Sequence, residues 1–297
     1  MRSSLRWLVV LALVAGTAGC TGKDRGTPST PAPSTTVDAA LAAQVPASIR
    51  AARAIVVATD PSYPPSEFRG PDKALTGFDV ELFNAVAGKL GLKTQWKTAG
   101  FDEIIPAVVA GTYAVGVSSF TIRKDREEQV TMVSYFTAGT QWAAREVAPV
   151  DPESACGKRV AVQSSTTQVT DVGTRSTACT DAGQPAIQVD EYLTQAELAD
   201  AVTSGKDDAL VADSPVSGYA VARSKGALSL VGRLYQPVRY GYVLPKDQTD
   251  FGGALARALR QLMAEGTYRE ILDHWGAAGG AISDPTVDPV VEPSASR

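Results

Sequence analysis

The chain has 297 residues, is 44% hydrophobic and 20% charged, and carries a formal net charge of −4. That length suffices for two lobes with separate cores. A mild acidic excess without a basic patch offers nothing to hold nucleic acid.

The N-terminus sets the compartment. Arg2 and Arg6 precede a single apolar run from Trp7 to Ala15, and Thr17-Ala-Gly-Cys20 follows. This is the layout of a secretory signal over residues 1–19, too short to cross a membrane. A Cys placed directly after small residues is similar to a bacterial lipobox, in which the thiol is acylated and becomes the mature N-terminus. Thr17 stands where Leu is usual. The alternative is ordinary cleavage after Ala18, with Cys20 left as a free thiol. Loss of residues 1–19 takes the net charge from −4 to −6. The mature protein is expected outside the cytoplasm, lipid-anchored at Cys20 to the outer face of the cell membrane, as a monomer. Residues 20–50, rich in Thr, Ser, Pro, Ala and Gly, read as a flexible tether about 30 Å long if coil-like. A helical turn within Ala39–Arg50 stays open.

From there strands and helices alternate. Ala54-Ile-Val-Val-Ala58 is a β-branched strand that stops at Thr59-Asp60-Pro61. Phe78 to Leu90 has apolar residues at helical spacing, Asp79 in its first turn and Gly91 after its end. A strand at Thr94–Lys97, a helix from Phe101 to Ala110 and a strand from Tyr113 to Ser118 come next. The second part repeats the pattern: strand 159–162, a helix from about Thr166, strand 186–189, helix Thr194–Ser204 and strand Ala209–Val211. An amphipathic helix at Phe251–Ala264 and a helical segment at Tyr268–Trp275 follow. Residues 277–297, with Gly-Gly and several prolines, read as a disordered tail. Repeated βαβ units imply an α/β fold with parallel sheets covered by helices.

Ligands in such sheets bind outside the carboxyl ends of strands. Asp60, Ser118, Ser164 and Asp213 all fall just after predicted strands. Each could instead be a helix cap, the better reading for Ser164 and Ser165. Two segments stand out. Ala209-Leu-Val-Ala-Asp213 puts a lone carboxylate at the end of an apolar run, and Ser118-Ser-Phe-Thr-Ile-Arg-Lys-Asp-Arg126 puts a guanidinium at the end of a hydroxyl-rich one. Asp and Arg are the counter-charges of an α-ammonium and an α-carboxylate, so the pair suits the two ends of a free amino acid. Besides Cys20 there are two cysteines, Cys156 and Cys179. In an oxidising compartment a disulfide is the default, and closing a loop of this size contributes roughly 3 kcal/mol. Two buried free thiols are the alternative.

Several segments, in order, carry a family likeness: Asp60-Pro-Ser-Tyr-Pro-Pro-Ser-Glu-Phe68, Leu75-Thr-Gly-Phe-Asp-Val-Glu-Leu82, Phe101-Asp-Glu-Ile-Ile-Pro-Ala107, Gln163-Ser-Ser-Thr-Thr167 and Gly266-Thr-Tyr-Arg-Glu-Ile-Leu272. From about Arg53 to Trp275 the chain resembles the polar amino-acid group of substrate-binding proteins of ABC importers, bacterial solute-binding protein family 3. The resemblance implies a periplasmic-binding-protein-like fold of two α/β lobes closing about a two-strand hinge. Crossings are expected near Arg145–Val147 and Arg239–Gly241. Lobe 1 would be residues 53–145 plus 240–276, and lobe 2 residues 146–239. It implies that Arg126 grips the ligand carboxylate, with Thr121 and Thr167 donating to it. Bidentate geometry suits arginine there, and a helix N-terminus suits Thr167. Asp213 would take the ammonium, flanked by Ser118 and Ser119. Tyr63 and Phe101 would wall the ligand side chain, Asp60 would face its distal polar group, and Gln163 would tune specificity. The implied partners are a free amino acid and ABC permease subunits, with no cofactor and no metal.

Departures from the family pattern are Met132-Val-Ser-Tyr-Phe136, one residue short and lacking an acid, and Ala114 in place of another acid. Trp142 is equally open to a pocket role or packing. The two aromatic faces of Tyr63 and Phe101 with Asp60 at the far end point to a basic or amide amino acid, acidic ligands being the runner-up if Asp60 turns outward to cap the following turn. No elbow, dyad, metal-spaced cluster or phosphate loop appears, and the lone His274 reads as a surface position. A dehydratase of the cyclohexadienyl type, similar in fold, is the enzyme alternative. A ligand-sensing receptor for a membrane signalling protein would look the same in sequence.

Overall fold

The computed structural model describes residues 36–289. Two short helices come first, α1 (Ala39–Ala42) and α2 (Ala47–Ala52), before β1 (Ala54–Thr59). The tether expected through residue 50 is therefore folded over its last part. Asp38 caps α1 by accepting two backbone N–H groups and is tied to Gln261 at 2.6 Å; Leu41 and Val45 sit in the main core. Residues 1–19, Cys20 and the tether up to residue 35 lie outside the described residues.

Three short strands follow, β2 (Ser62–Tyr63), β3 (Glu67–Arg69) and β4 (Leu75–Thr76), forming a small sheet of their own. Then come α3 (Phe78–Lys89), β5 (Lys93–Thr98), α4 (Phe101–Val109), β6 (Val115–Gly116) and the one-turn α5 (Lys124–Glu127). A long strand, β7 (Val130–Arg145), leads to β8 (Arg159–Gln163), α6 (Thr167–Asp181), β9 (Gln188–Tyr192), α7 (Gln195–Thr203), β10 (Ala209–Asp213) and α8 (Ser214–Arg223). The second long strand, β11 (Leu228–Pro245), precedes α9 (Thr249–Ala264) and α10 (Thr267–His274).

The main sheet has eight strands in the order β5-β1-β6-β11-β7-β10-β8-β9. β1, β5 and β6 are parallel in one half, and β8, β9 and β10 in the other. Between them β7 and β11 run antiparallel through both halves. β1 and β10 are almost wholly buried, as both-face-covered parallel strands must be. Each half has its own apolar core, around Phe83, Tyr242 and Leu259 in the first and around Trp142, Val160 and Val211 in the second. Trp142 has no exposed surface, and its Nε1–H donates to Tyr235 OH at 2.9 Å. Its role is packing.

Cys156 and Cys179 are joined, with Cα atoms 5.6 Å apart, tying the end of α6 to the turn before β8. One boundary differs from expectation. β7 pairs with β10 from Thr140 onward, so its crossing between halves falls at residues 137–139, not at Arg145–Val147. The strand runs on without a break, so nothing local marks the point. β11 shifts register on either side of Tyr235 and again after Tyr240.

The tail expected to lack order packs on β7 as far as residue 289. In the first half, one edge of β7 pairs with β11 and, among the described residues, the other has no strand beside it, so unpaired backbone groups invite cover. The tail supplies it: Ser134 N–H donates to Thr286 O at 2.9 Å, Met132 N–H to Asp288 Oδ1 at 2.7 Å, and Asp288 N–H to Met132 O at 2.8 Å. Gly280 lies so close to Phe136 and the Thr137 carbonyl that a Cβ there would meet them at 2.1 and 2.3 Å.

Candidate functional site

The carboxyl ends of β1, β5 and β6 face those of β8 and β10 across a cleft, and the polar residues that follow them form one pocket. All ten residues expected at the site line it: Asp60, Tyr63, Phe101, Ser118, Ser119, Thr121, Arg126, Gln163, Thr167 and Asp213. The halves meet there, with Tyr63 of the first packed on Ala212 and Val216 of the second.

Arg126 enters from α5 and is 5% exposed. Its guanidinium carbon lies 5.5 Å from the ring centres of both Phe101 and Phe120, which stack on each other at 4.8 Å. This fixes a planar cation on aromatic faces. Nη1 donates to Thr121 O at 3.0 Å, and Nη2 reaches Ser165 O in the other half at 3.5 Å. Burial, then Arg123, lowers its pKa to about 10, so it stays charged at neutral pH. Among the described residues it has no carboxylate partner. Thr121 thus meets Arg126 through its carbonyl as well as lining the pocket. Thr167 opens the fifteen-residue α6, whose free N–H groups and dipole favour an anion at the same place.

Asp213 ends β10 and is 7% exposed. Oδ2 accepts Tyr63 OH at 2.7 Å and Tyr240 OH at 2.6 Å, and Oδ1 accepts Gln168 Nε2 at 2.8 Å. Burial raises its pKa, against these three hydrogen bonds and Arg126, which lower it. Tyr63 therefore does more than wall a side chain: its hydroxyl crosses the cleft to Asp213. Ser118 and Ser119 follow β6. Ser118 Oγ accepts Asp60 N–H at 3.1 Å and donates to Glu67 Oε1 at 2.7 Å. Ser119 holds a left-handed backbone, φ 50°, unusual for a residue with a Cβ. Asp60 is half-buried; burial raises its pKa, while hydrogen bonds involving Ser62 and the Phe101 N–H oppose the rise. Gln163 is engaged within the protein, donating to Leu193 O at 2.9 Å and accepting from Gln195 at 2.8 Å. It also reaches Ser62 Oγ across the cleft at 3.4 Å.

The sequence profile of bacterial extracellular solute-binding proteins, family 3, matches residues 55–278. The chain belongs to this family. An arginine-binding protein of Corynebacterium glutamicum is similar, at 36% identity over 84% of this chain and 82% of its own. Among solved structures, an ancestral arginine-binding protein bound to arginine is similar, with a TM-score of 0.69 and 30% identity over 75% of this chain and 97% of that one. An ancestral amino acid-binding protein, a precursor of cyclohexadienyl dehydratase, is similar at a TM-score of 0.67 and 27% identity, covering 77% and 97%. No described helix is long and apolar enough to cross a membrane.

The family-3 pocket also contains groups to which sequence reasoning gave no role. Glu67 and Gln168 line it, and Tyr240 holds Asp213 from β11. Glu67 lies inside the family-like segment from Asp60 to Phe68, and Gln168 directly follows Thr167, so adjacency was the available signal. Tyr240 carried none, because its role comes from a partner on another strand. Ser164 does not line the pocket, and neither it nor Ser165 is the helix cap expected: the N-cap of α6 is Thr166, and the two serines form the turn before it.

Proposed function

We propose that the protein is an extracytoplasmic receptor for a basic or amide amino acid, arginine foremost, captured by closure of two lobes and delivered to an ABC permease. The observation that carries this is the charge layout of one buried pocket: a guanidinium without a carboxylate partner among the described residues, Arg126, with Asp213 and Asp60 as the acids set against it. The ligand carboxylate takes Arg126 and the N-terminus of α6. Its ammonium takes Asp213, whose two oxygens offer about four acceptor positions. Three are filled by Tyr63, Tyr240 and Gln168, which leaves one on Oδ1. Ser118 and Ser119 flank it. The side chain runs along Phe101 and Tyr63 toward Asp60. Acidic ligands are disfavoured by like charge in a poorly solvated site.

Arg126 and Asp213 come from different halves, so a zwitterion holding both links affinity to closure. The names of the relatives support the ligand class, and Cys20 supplies the anchor. A thermal-shift screen of the twenty amino acids with ornithine and citrulline tests the reading. A ligand at about a thousand times its Kd stabilises by about 4 kcal/mol, a rise of several degrees. Arginine, lysine, ornithine or glutamine should give it. A rise with glutamate or aspartate alone would refute the assignment. Cys20→Ser should release the protein from the membrane fraction of cells, and retention there would refute the anchor.

A further inference from the structure

At the pocket wall two carboxyls converge: Glu67, which lines the pocket, and Asp79 behind it. Glu67 opens β3, Asp79 lies in the first turn of α3, and neither has any exposed surface. Among the described residues neither is in an ion pair. They converge on one hydroxyl: Ser119 Oγ is 3.2 Å from Asp79 Oδ2 and 3.4 Å from Glu67 Oε2. Asp79 Oδ2 also accepts Tyr135 OH at 2.6 Å and Ser119 N–H at 3.0 Å. Asp79 Oδ1, by contrast, is buried with no donor. A buried carboxylate oxygen lacking a donor, beside a second carboxyl, is costly unless a proton lies between them.

We infer that Glu67 and Asp79 hold one proton between them, and that this makes Glu67 a positioning residue for the Ser118–Ser119 loop of the ligand site. The proton lets one carboxyl donate to the other and completes Asp79 Oδ1. Glu67 Oε1 then stays on Ser118, and Asp79 Oδ2 stays on the Ser119 N–H. Those bonds clamp the loop, including the left-handed Ser119, a conformation that persists only where its surroundings enforce it. Once the proton leaves, two charges repel in a region of low dielectric, and the clamp loosens.

Burial pushes both carboxyls up, Glu67 well above the ordinary carboxylate range and Asp79 to about 6. The other titratable groups facing the pair are Asp60, Tyr63, Tyr135 and Tyr242, with Tyr268 behind Tyr242. None of them supplies positive charge. Arg126, the cation of the pocket, couples to Asp213 and Tyr63. The sign follows from linkage. The folded protein holds more protons than the unfolded chain, so the pair's contribution is full at low pH and lost as pH rises through the folded values.

Only the loop's use for a ligand rests on the function proposed above, so the test has two arms. Glu67→Gln is isosteric with the protonated glutamate, and its amide N–H stands permanently in place of the shared proton. Without ligand, carboxyl carbon-13 NMR from about pH 4 to 9 should show one resonance of the wild-type protein still protonated at neutral pH, absent in Glu67→Gln. With L-arginine, wild-type affinity should fall at least about fivefold more than that of Glu67→Gln between about pH 7 and 9, the smaller loss common to both coming from the ligand's own ammonium. Asp79→Asn should behave like Glu67→Gln and serves if that variant fails to fold. Both carboxyls titrating below about pH 5 would overturn the inference. So would equal alkaline losses in both proteins, or a folded Glu67→Gln that binds at no pH. A protonated resonance in a protein that ignores arginine would uphold the shared proton and refute the ligand.

Discussion

At the residue scale the account turns on Arg126 and Asp213. Arg126 is packed by Phe101 and Phe120 but has only carbonyl oxygens as polar partners. Arg126→Ala should leave the fold intact and remove amino-acid binding, a loss of about 3 kcal/mol or more once a buried carboxylate goes unpaired. Near wild-type affinity by calorimetry would contradict the carboxylate role. Asp213 has a pKa raised by burial, yet an ammonium needs its ionised form. Affinity should therefore be full above its folded value and be lost as pH falls through it. Asp213→Asn should lose this acid limb and weaken every amino acid by a similar factor. A loss confined to one ligand would place Asp213 at the side-chain end instead.

At the element scale the paired edges of β7 decide what is ordered. Asp288→Ala removes the acceptor of the Met132 N–H and should cost about 1 kcal/mol, visible in urea unfolding. An unchanged midpoint would mean that the tail adds nothing to β7. This tail was illegible in sequence because its Pro- and Ser-rich composition carries no period; its order comes from an open strand edge far away in the chain. β1 and β10 were readable as unbroken β-branched or apolar runs. β7 and β11 were not, since small and polar residues such as Gly139, Gln141 and Gly232 interrupt them. α8 begins at Ser214-Pro215 straight after β10, leaving no loop to announce it. In the site, Arg126 and Asp213 could be found from charge and position. Glu67 had only its place in the family-like segment to mark it, and Tyr240 had nothing, because its role arises from Asp213 on another strand.

At the scale of the whole molecule, two cores are joined by two continuous strands, with the pocket residues divided between them. The disulfide lies in the second half and closes a 23-residue separation. Replacing Cys156 and Cys179 by Ser should cost roughly 3 kcal/mol of stability, while ligand affinity of the folded fraction holds because neither Cys lines the pocket. In the proposed mechanism closure uses both ends of a zwitterion, so agmatine, which keeps the guanidinium of arginine but lacks the carboxylate, should bind far more weakly. The most direct test is isothermal titration of the wild-type protein with L-arginine and L-glutamate in the same buffer. The account predicts saturable one-site binding of arginine, abolished in Arg126→Ala, and no detectable heat with glutamate. Glutamate binding as tightly as arginine, or arginine binding that survives Arg126→Ala, would contradict it.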